Sequence, residues 1–265
     1  MKEIIETLVR MFGLSAIRYF IIAGLPFILC YKILTTWFAQ SKIQQRQAAI
    51  SDFKREVLHS MQTTAVLAVI AYLVLFTPFK NYTRVYTNLA DYPWWWIGVS
   101  LIICLIIHDT YFYWMHRLLH HKRLFRYTHL VHHQSTNPSP WTSYSFHFLE
   151  AFTEGGVLLL IVMLVPVHPF TVLLFTITGF IINVYGHLGY EVAPRWFRRS
   201  FLFEILNTSV HHNLHHSKFK GNYGLYFRLW DRLLNTEHPD YVKEYDRIQQ
   251  NRFGTKKTAG NLIRS

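Results

Sequence analysis

The chain has 265 residues, a formal net charge of +12, and 51% hydrophobic and 17% aromatic residues; its apolar residues gather into long runs rather than at the spacing of a soluble core. This composition predicts an all-α integral membrane bundle, and it argues against a nucleic-acid partner, because Lys and Arg fall in the loops between and after the apolar runs, where cytosolic segments carry them. Cys30 and Cys104 are the only cysteines and both lie inside apolar runs, which excludes a disulfide framework and a thiolate metal site.

The N-terminal MKEIIETLVRMF carries two Glu and lacks the basic region and cleavage site of a secretory signal, so it is expected to be retained. Residues 17–38 are long enough to cross a bilayer, with Pro26 expected to kink the helix and Lys32 to snorkel. Residues 39–60 are polar and basic and read as a cytosolic helical connection, closing an N-terminal unit at 1–60. A catalytic membrane unit follows at 61–240. Its first span is 61–79, ended by Pro78; an outer loop leads to Trp94, Trp95 and Trp96, which suit an interface and open the span 94–107. Residues 148–186 form two apolar runs broken at Pro166 and Pro169, a membrane hairpin with its tip outside. About five spans then place 39–60, 114–147 and a charged tail at 241–265 on one side, which the loop charges make cytosolic, in a bacterial inner membrane or the endoplasmic reticulum. NRFGTKKTAGNLIRS, at the end of the tail, reads as disordered.

Histidine is the outstanding feature. Of 16 in the chain, 14 lie between 108 and 216. His116 and His120 form an H-x3-H box, and His129, His132, His133 and His212, His215, His216 form two H-x2-H-H boxes. On a helix these spacings aim the imidazoles of each box in nearly one direction. Crowded imidazoles repel one another if protonated and are costly to bury unpaired, so neutral ligands on divalent metals are the expected resolution. Eight nitrogens exceed the needs of one ion, so two metals are implied. An all-imidazole pair of sites at a membrane surface favours redox-active iron, which with O2 as co-substrate would oxidise a lipid C–H bond; zinc may substitute on expression. The alternatives are a zinc-dependent membrane hydrolase, which would want an acidic base such as that of HExxH, and a metal transporter or store, which would want ligands inside the spans.

HDTYFYWMHRLLHH, HLVHH, WTSYSFHFLEA, GHLGYE and HHNLHHSKFKGNYGLYFRLWDRLLNT together resemble the fatty acid hydroxylase and sterol desaturase superfamily, in order and at similar intervals, over about residues 95–236. The resemblance implies a bundle of four to six membrane helices with a cytosolic dimetal site that uses O2 and external electrons. It implies His187 as a further ligand beside the eight box histidines. Since the chain has no haem, flavin or dinucleotide module, electrons are expected from a separate protein, cytochrome b5-like, ferredoxin-like or a reductase, while the substrate is a sterol-like or long-chain membrane lipid. Other positions are weighed singly. His108, about 80° from His116 around the helix, is a ligand from a neighbouring turn or a supporting donor. Asp109 is expected to orient an imidazole, and His147 to touch the site. Asp231, of the WD pair, supports the site or caps a helix. Glu191, four after His187, is expected to share a face with it. His121 and His211 are read as solvated or structural, His168 as structural at the outer turn, and His59 and His238 as surface residues.

Overall fold

The structure, a computed structural model, describes residues 1–46 and 48–254. Among these no strand forms; three isolated bridges are the only β pairing. Helix α1, Lys2–Ile28, passes into a π turn at Leu29–Ile33. It begins well before the expected start at 17, because the apolar periodicity of residues 4–12 continues into the span. Pro26 does not break it; the winding widens just beyond, where the Leu34 N–H reaches back to the Leu29 carbonyl at 2.7 Å. Helix α2, Ile50–Phe76, absorbs the last part of the expected linker, since the Asp52 carboxylate accepts from the Ala49 N–H at 3.0 Å and starts the helix there. Helix α3, Trp96–Leu119, extends three turns past the expected end of its span and carries His108, Asp109 and His116 on continuous helix. The hairpin is α4, Phe148–Leu164, and α5, Pro169–Gly186.

Among the described residues four helices are long and apolar enough to cross a membrane: α1 with its π turn, α2, α3 and α5. The expected fifth span is α4, with 17 residues. The five pack in a closed ring in which α1 touches α2, α2 touches α4, α4 touches α3, α3 touches α5, and α5 returns to α1. The outer face of α1 exposes Ile5, Val9, Leu14, Ile17, Ile21 and Leu25, a stripe tolerable only against lipid. Inside the ring lies a cavity of about 210 Å³, lined on α2, α4 and α5 by Leu67, Ala71, Val157, Val172 and Phe175 among others.

Both ends of the ring are closed by backbone pairing. At one end Val85 bridges Val167, and the Arg84 N–H donates to the Val162 carbonyl at 2.7 Å. At the other, Lys42 bridges Tyr190, and the described residues after Gly186, 187–254, fold into a cap. Its core joins Phe203, Val210 and Leu214 to Tyr241, Tyr245 and Ile248. The last three belong to helix α7, Tyr241–Phe253, so the tail expected from 241 is a packed helix; its remainder, 255–265, lies outside the described residues.

The loop of residues 135–146 is pinned by a carboxylate. Glu56 of α2, fully buried, accepts from the Ser135 and Ser139 hydroxyls at 2.7 and 2.6 Å. Ser60 and Tyr19 donate to the Trp141 carbonyl, and Asn183 to that of Ser143. At about 1.5–3 kcal/mol per hydrogen bond to a charged group, Glu56 alone outweighs the entropy of a few loop residues. Epitope tags in the 39–46 loop and after the C-terminal residue are expected to report the same, cytosolic side and a tag at 80–92 the opposite one; protease protection in sealed vesicles placing all three together would overturn this arrangement.

Candidate metal centre

Nine imidazoles converge where α3 and α5 end against the cap. They form two groups, His116, His120, His129, His133 and His215, and His132, His187, His212 and His216, within each of which the candidate donor atoms lie no more than 4.8 Å apart. The groups adjoin: the His133 and His216 rings stack at 4.8 Å. Eight of the nine are buried; His120, the residue after α3, is partly open.

Local helix geometry decides the partition. His116 and His120, four apart at the end of α3, share the first group. The short helix Leu130–His133, with His129 at its N-cap, sends His129 and His133 to the first group and His132 to the second. Helix α6, Ser209–Lys218, sends His212 and His216 to the second group and His215 to the first. Each H-x2-H-H box thus straddles both groups instead of aiming at one point, because neighbours i and i+1 diverge by about 100°. His187 follows the last residue of α5.

The hydrogen bonds fix the tautomers. Nδ1 of His116 faces the Tyr223 carbonyl at 2.9 Å, His132 that of Ser145 at 3.3 Å, His187 that of Asn183 at 2.8 Å, His215 that of Gly221 at 2.7 Å and His216 that of Ser135 at 3.0 Å. His129 Nδ1 faces Glu150 Oε1 at 2.5 Å. A carbonyl only accepts, so these Nδ1 atoms carry the protons and their Nε2 atoms are bare lone pairs. Those bare atoms then meet: His116 and His129 at 2.9 Å, His216 and His187 at 3.1 Å, and His132 and His187 at 3.2 Å; His133 and His212, whose Nδ1 atoms are not held by a carbonyl, bring their Nε2 atoms to 3.0 Å from those of His215 and His187. Lone pairs this close repel unless a cation lies between them. The donor set therefore fits two metal ions, one per group.

Burial, the leading cause, holds the cap imidazoles neutral: His187 and His215 are pushed down to about 4 and His120 to about 2, with neighbouring imidazoles adding to the effect at His120. The same cause depresses His129, His132, His133, His212 and His216.

Other expected positions lie apart. His108 faces the cavity and meets the Tyr226 hydroxyl at 2.7 Å. Asp109 orients no imidazole: its Oδ1 accepts the backbone N–H groups of Leu225, Tyr226 and Phe227 at 3.2, 2.7 and 3.2 Å. Asp231 accepts those of Tyr223 and Gly224 at 2.9 and 2.7 Å. These two carboxylates hold the strand of chain whose Tyr223 carbonyl orients His116. Glu191 does not align with His187, because the helix ends at Gly186, before both; it takes the Tyr185 hydroxyl and the Ala193 and Val210 N–H groups, anchoring the start of α6. His147 caps α4 by accepting from the Leu149 N–H. His121 is exposed, whereas His211 is fully buried against Tyr241 with neither ring nitrogen hydrogen-bonded. Gly221, at φ +77°, presents its carbonyl to His215, and a Cβ there would meet the Thr236 carbonyl at 2.6 Å, which explains a glycine at this turn.

Two partners escape a reading of the sequence. Glu150 has a visible signal, a carboxylate opening an apolar run. Glu56 has none, since the segment around it is polar throughout.

A membrane helical bundle whose cap gathers two all-histidine groups suited to metal ions is the class defined by this fold and site. The fatty acid hydroxylase family model matches residues 101–236, about half of the chain, and the chain belongs to that family. It is 26% identical over 200 residues to a Delta(7)-sterol 5(6)-desaturase of Gibberella zeae, covering 76% of this chain and 60% of that one. It is 28% identical over 226 residues to the lathosterol oxidase of Rattus norvegicus, covering 84% and 72%, and 30% identical over 182 residues to a Delta(7)-sterol 5(6)-desaturase of Schizosaccharomyces pombe, covering 68% and 58%. The chain thus spans about three fifths of the two fungal relatives. No solved structure matches it.

Two outcomes follow for the cap. Imidazoles held neutral by the fold take up protons on unfolding, with an ordinary pKa near about 6.5. Their folded values lie lower, so stability is full above about pH 6.5 and is lost as pH falls toward 4; the melting temperature of metal-free protein in detergent is expected to drop steeply across that window, and a flat profile would contradict it. Glu150→Ala, by releasing His129, is expected to weaken metal binding about 10- to 100-fold in a competitive chelator titration, whereas His147→Ala leaves it unchanged.

Proposed function

We propose that this protein is a membrane-bound di-iron oxygenase that hydroxylates or desaturates a C–H bond of a sterol-like or long-chain lipid, with its metal-bearing cap in the cytosol. The observation that carries this reading is the junction of the two histidine groups with the apolar cavity. Phe146 lines the cavity and its ring lies 5.0 Å from that of His132. His108 and Asn183 line it as well, one on the helix of His116 and the other supplying the carbonyl that orients His187. An alkyl segment in the cavity would therefore end against the imidazoles.

Two iron ions held there would supply the means to reduce O2 and to remove hydrogen from an unactivated C–H bond. The balance is one O2, two electrons and two protons per turnover. In hydroxylation one oxygen enters the C–H bond and the other leaves as water; in desaturation the lipid gives up two hydrogens and both oxygens leave as water. The residues perform the rest. Six imidazoles held through Nδ1 keep bare nitrogens aimed at fixed points, which spares reorganisation. Phe146, Phe175 and Phe180 on the cavity wall exclude water from the reacting segment. At about 210 Å³ the cavity falls below the roughly 300–1,000 Å³ that buries a whole drug-sized ligand, so it fits the reacting segment of a lipid while the remainder lies between the helices. The names of the sterol desaturase and lathosterol oxidase relatives favour a sterol-like substrate.

Geometry supports iron over structural zinc. The first group offers five imidazoles, more than the four ligands that satisfy a structural zinc.

Purified protein is expected to hold close to two metals per chain, with iron in the active form even where overexpression loads zinc. His132→Ala and His215→Ala, one from each group, should each lower metal content and abolish O2-dependent lipid oxidation, while His168→Ala and His238→Ala should do neither. One metal per chain, or full activity in His132→Ala, would overturn the dimetal reading.

A further inference from the structure

The proposed reaction needs two electrons per turnover, and the chain carries no second redox group in its sequence motifs. The cationic segments Arg195–Arg199 and Lys218–Arg232 are partly neutralised in the fold: Arg198 pairs with Asp246, Arg228 with Glu237 and Arg232 with Glu204. Beside the first histidine group Lys122, Arg123, Arg126, Lys218 and Lys220 stand exposed with no carboxylate within 4.0 Å among the described residues, as Arg195, Arg199 and Lys243 do elsewhere.

They surround two aromatic rings that reach the first histidine group. Phe125 lies 5.2 Å from His120 and 5.6 Å from His133, ring to ring. Phe219 lies 5.0 Å from His133 and 6.2 Å from Phe125, and is 38% exposed. Lys122, Arg123 and Arg126 flank Phe125 in sequence, and Lys218 and Lys220 flank Phe219. The adjoining ligand, His120, is the one of the nine imidazoles that is not buried.

Phe219 also sits at φ +61°, a left-handed conformation that a bulky side chain adopts only under strain. That conformation sets its ring on His133. A ring that needed only to end α6 would be served by glycine without strain.

We infer that Phe125 and Phe219, with the five cations around them, form the docking surface of an acidic one-electron carrier protein, which delivers two electrons per turnover in successive encounters through the rings that touch His120 and His133. This rests on the oxygenase reading for its need of electrons. Charge complementarity selects an acidic partner, speeds encounter and makes association salt-dependent. The aromatic pair gives a protein partner a small apolar centre within the charged rim. Lipid headgroups would match the charge alone, with no use for rings stacked on the imidazoles.

The test uses the full chain, metal-loaded, in nanodiscs of zwitterionic lipid, with an acidic [2Fe–2S] ferredoxin and the acidic haem domain of a cytochrome b5 as probes. In the variant Lys122→Glu, Arg123→Glu, Lys218→Glu and Lys220→Glu, at least one probe is expected to bind tenfold or more weakly than to wild type, by interferometry at low salt. Zero-length carbodiimide coupling to wild type should fall on Lys122, Lys218 or Lys220. Lys80→Glu with Arg84→Glu, at the far end of the bundle, should bind like wild type. A small chemical reductant should reduce wild type and variant equally, showing that the centre is intact. Equal probe binding by wild type and the fourfold variant, or cross-links confined to other lysines, overturns the docking surface. So does a charge effect seen only in nanodiscs of anionic lipid, which would assign the cations to headgroups. If instead the probes bind as stated but no lipid is oxidised with either electron source, the oxygenase reading fails and the surface stands.

Discussion

The repulsion among bare imidazole nitrogens is the constraint on which this molecule depends. Nε2 atoms about 3 Å apart, each a lone pair and each buried, oppose the fold until a cation joins them. The protein holds them there by occupying the other nitrogen of the ring. Tyr223, Ser145, Asn183, Gly221 and Ser135 contribute backbone carbonyls for this purpose, and Glu150 a carboxylate. These partners come from the cap, the pinned loop, α5 and α4. The centre is therefore assembled from the whole chain.

Much of the remaining polar architecture serves those partners. Asp109 and Asp231 grip the backbone of residues 223–227, and so hold the Tyr223 carbonyl to His116. Glu56 grips Ser135 and Ser139, and so holds the Ser135 carbonyl to His216. Glu191 anchors the first turn of α6, which carries three of the nine histidines. Asp109, Asp231 and Glu191 act on backbone N–H groups and Glu56 on serine hydroxyls, each one step removed from an imidazole. In a region of low dielectric such charge-assisted bonds are strong, and an unmatched carboxylate is costly, so each both requires and enforces the placement of its loop.

The membrane bundle and the histidine boxes were legible because both are periodic. Long apolar runs and i, i+3, i+4 histidines survive in a one-dimensional reading. The nine convergent imidazoles are those that spacing and family resemblance single out. What failed to show was whatever depends on a distant partner. Asp109 beside a histidine box suggests an imidazole partner, yet the backbone that it binds lies more than 110 residues away. The helix Tyr241–Phe253 reads as a charged tail because only Tyr241, Tyr245 and Ile248 of its residues are buried, and three positions on one face give a weak signal. His211 and His121 are both turned from their neighbouring ligands, but only the packing of Tyr241 against His211 decides which is buried.

The division of each H-x2-H-H box between the two groups couples them mechanically. His132 and His133 are consecutive, as are His215 and His216, so one helix turn in each case carries ligands of both groups. Fixing His133 and His215 to one ion orders the very turns that present His132 and His216 to the other, and the entropy of ordering them is spent once. In the proposed oxygenase two adjacent ions acting on one O2 would need a fixed separation, and consecutive residues on a rigid turn are a direct means of setting it. Separate boxes, one for each ion, would leave that separation to the packing of whole helices in a bilayer. Shared boxes move it to the backbone geometry of single turns, which varies far less.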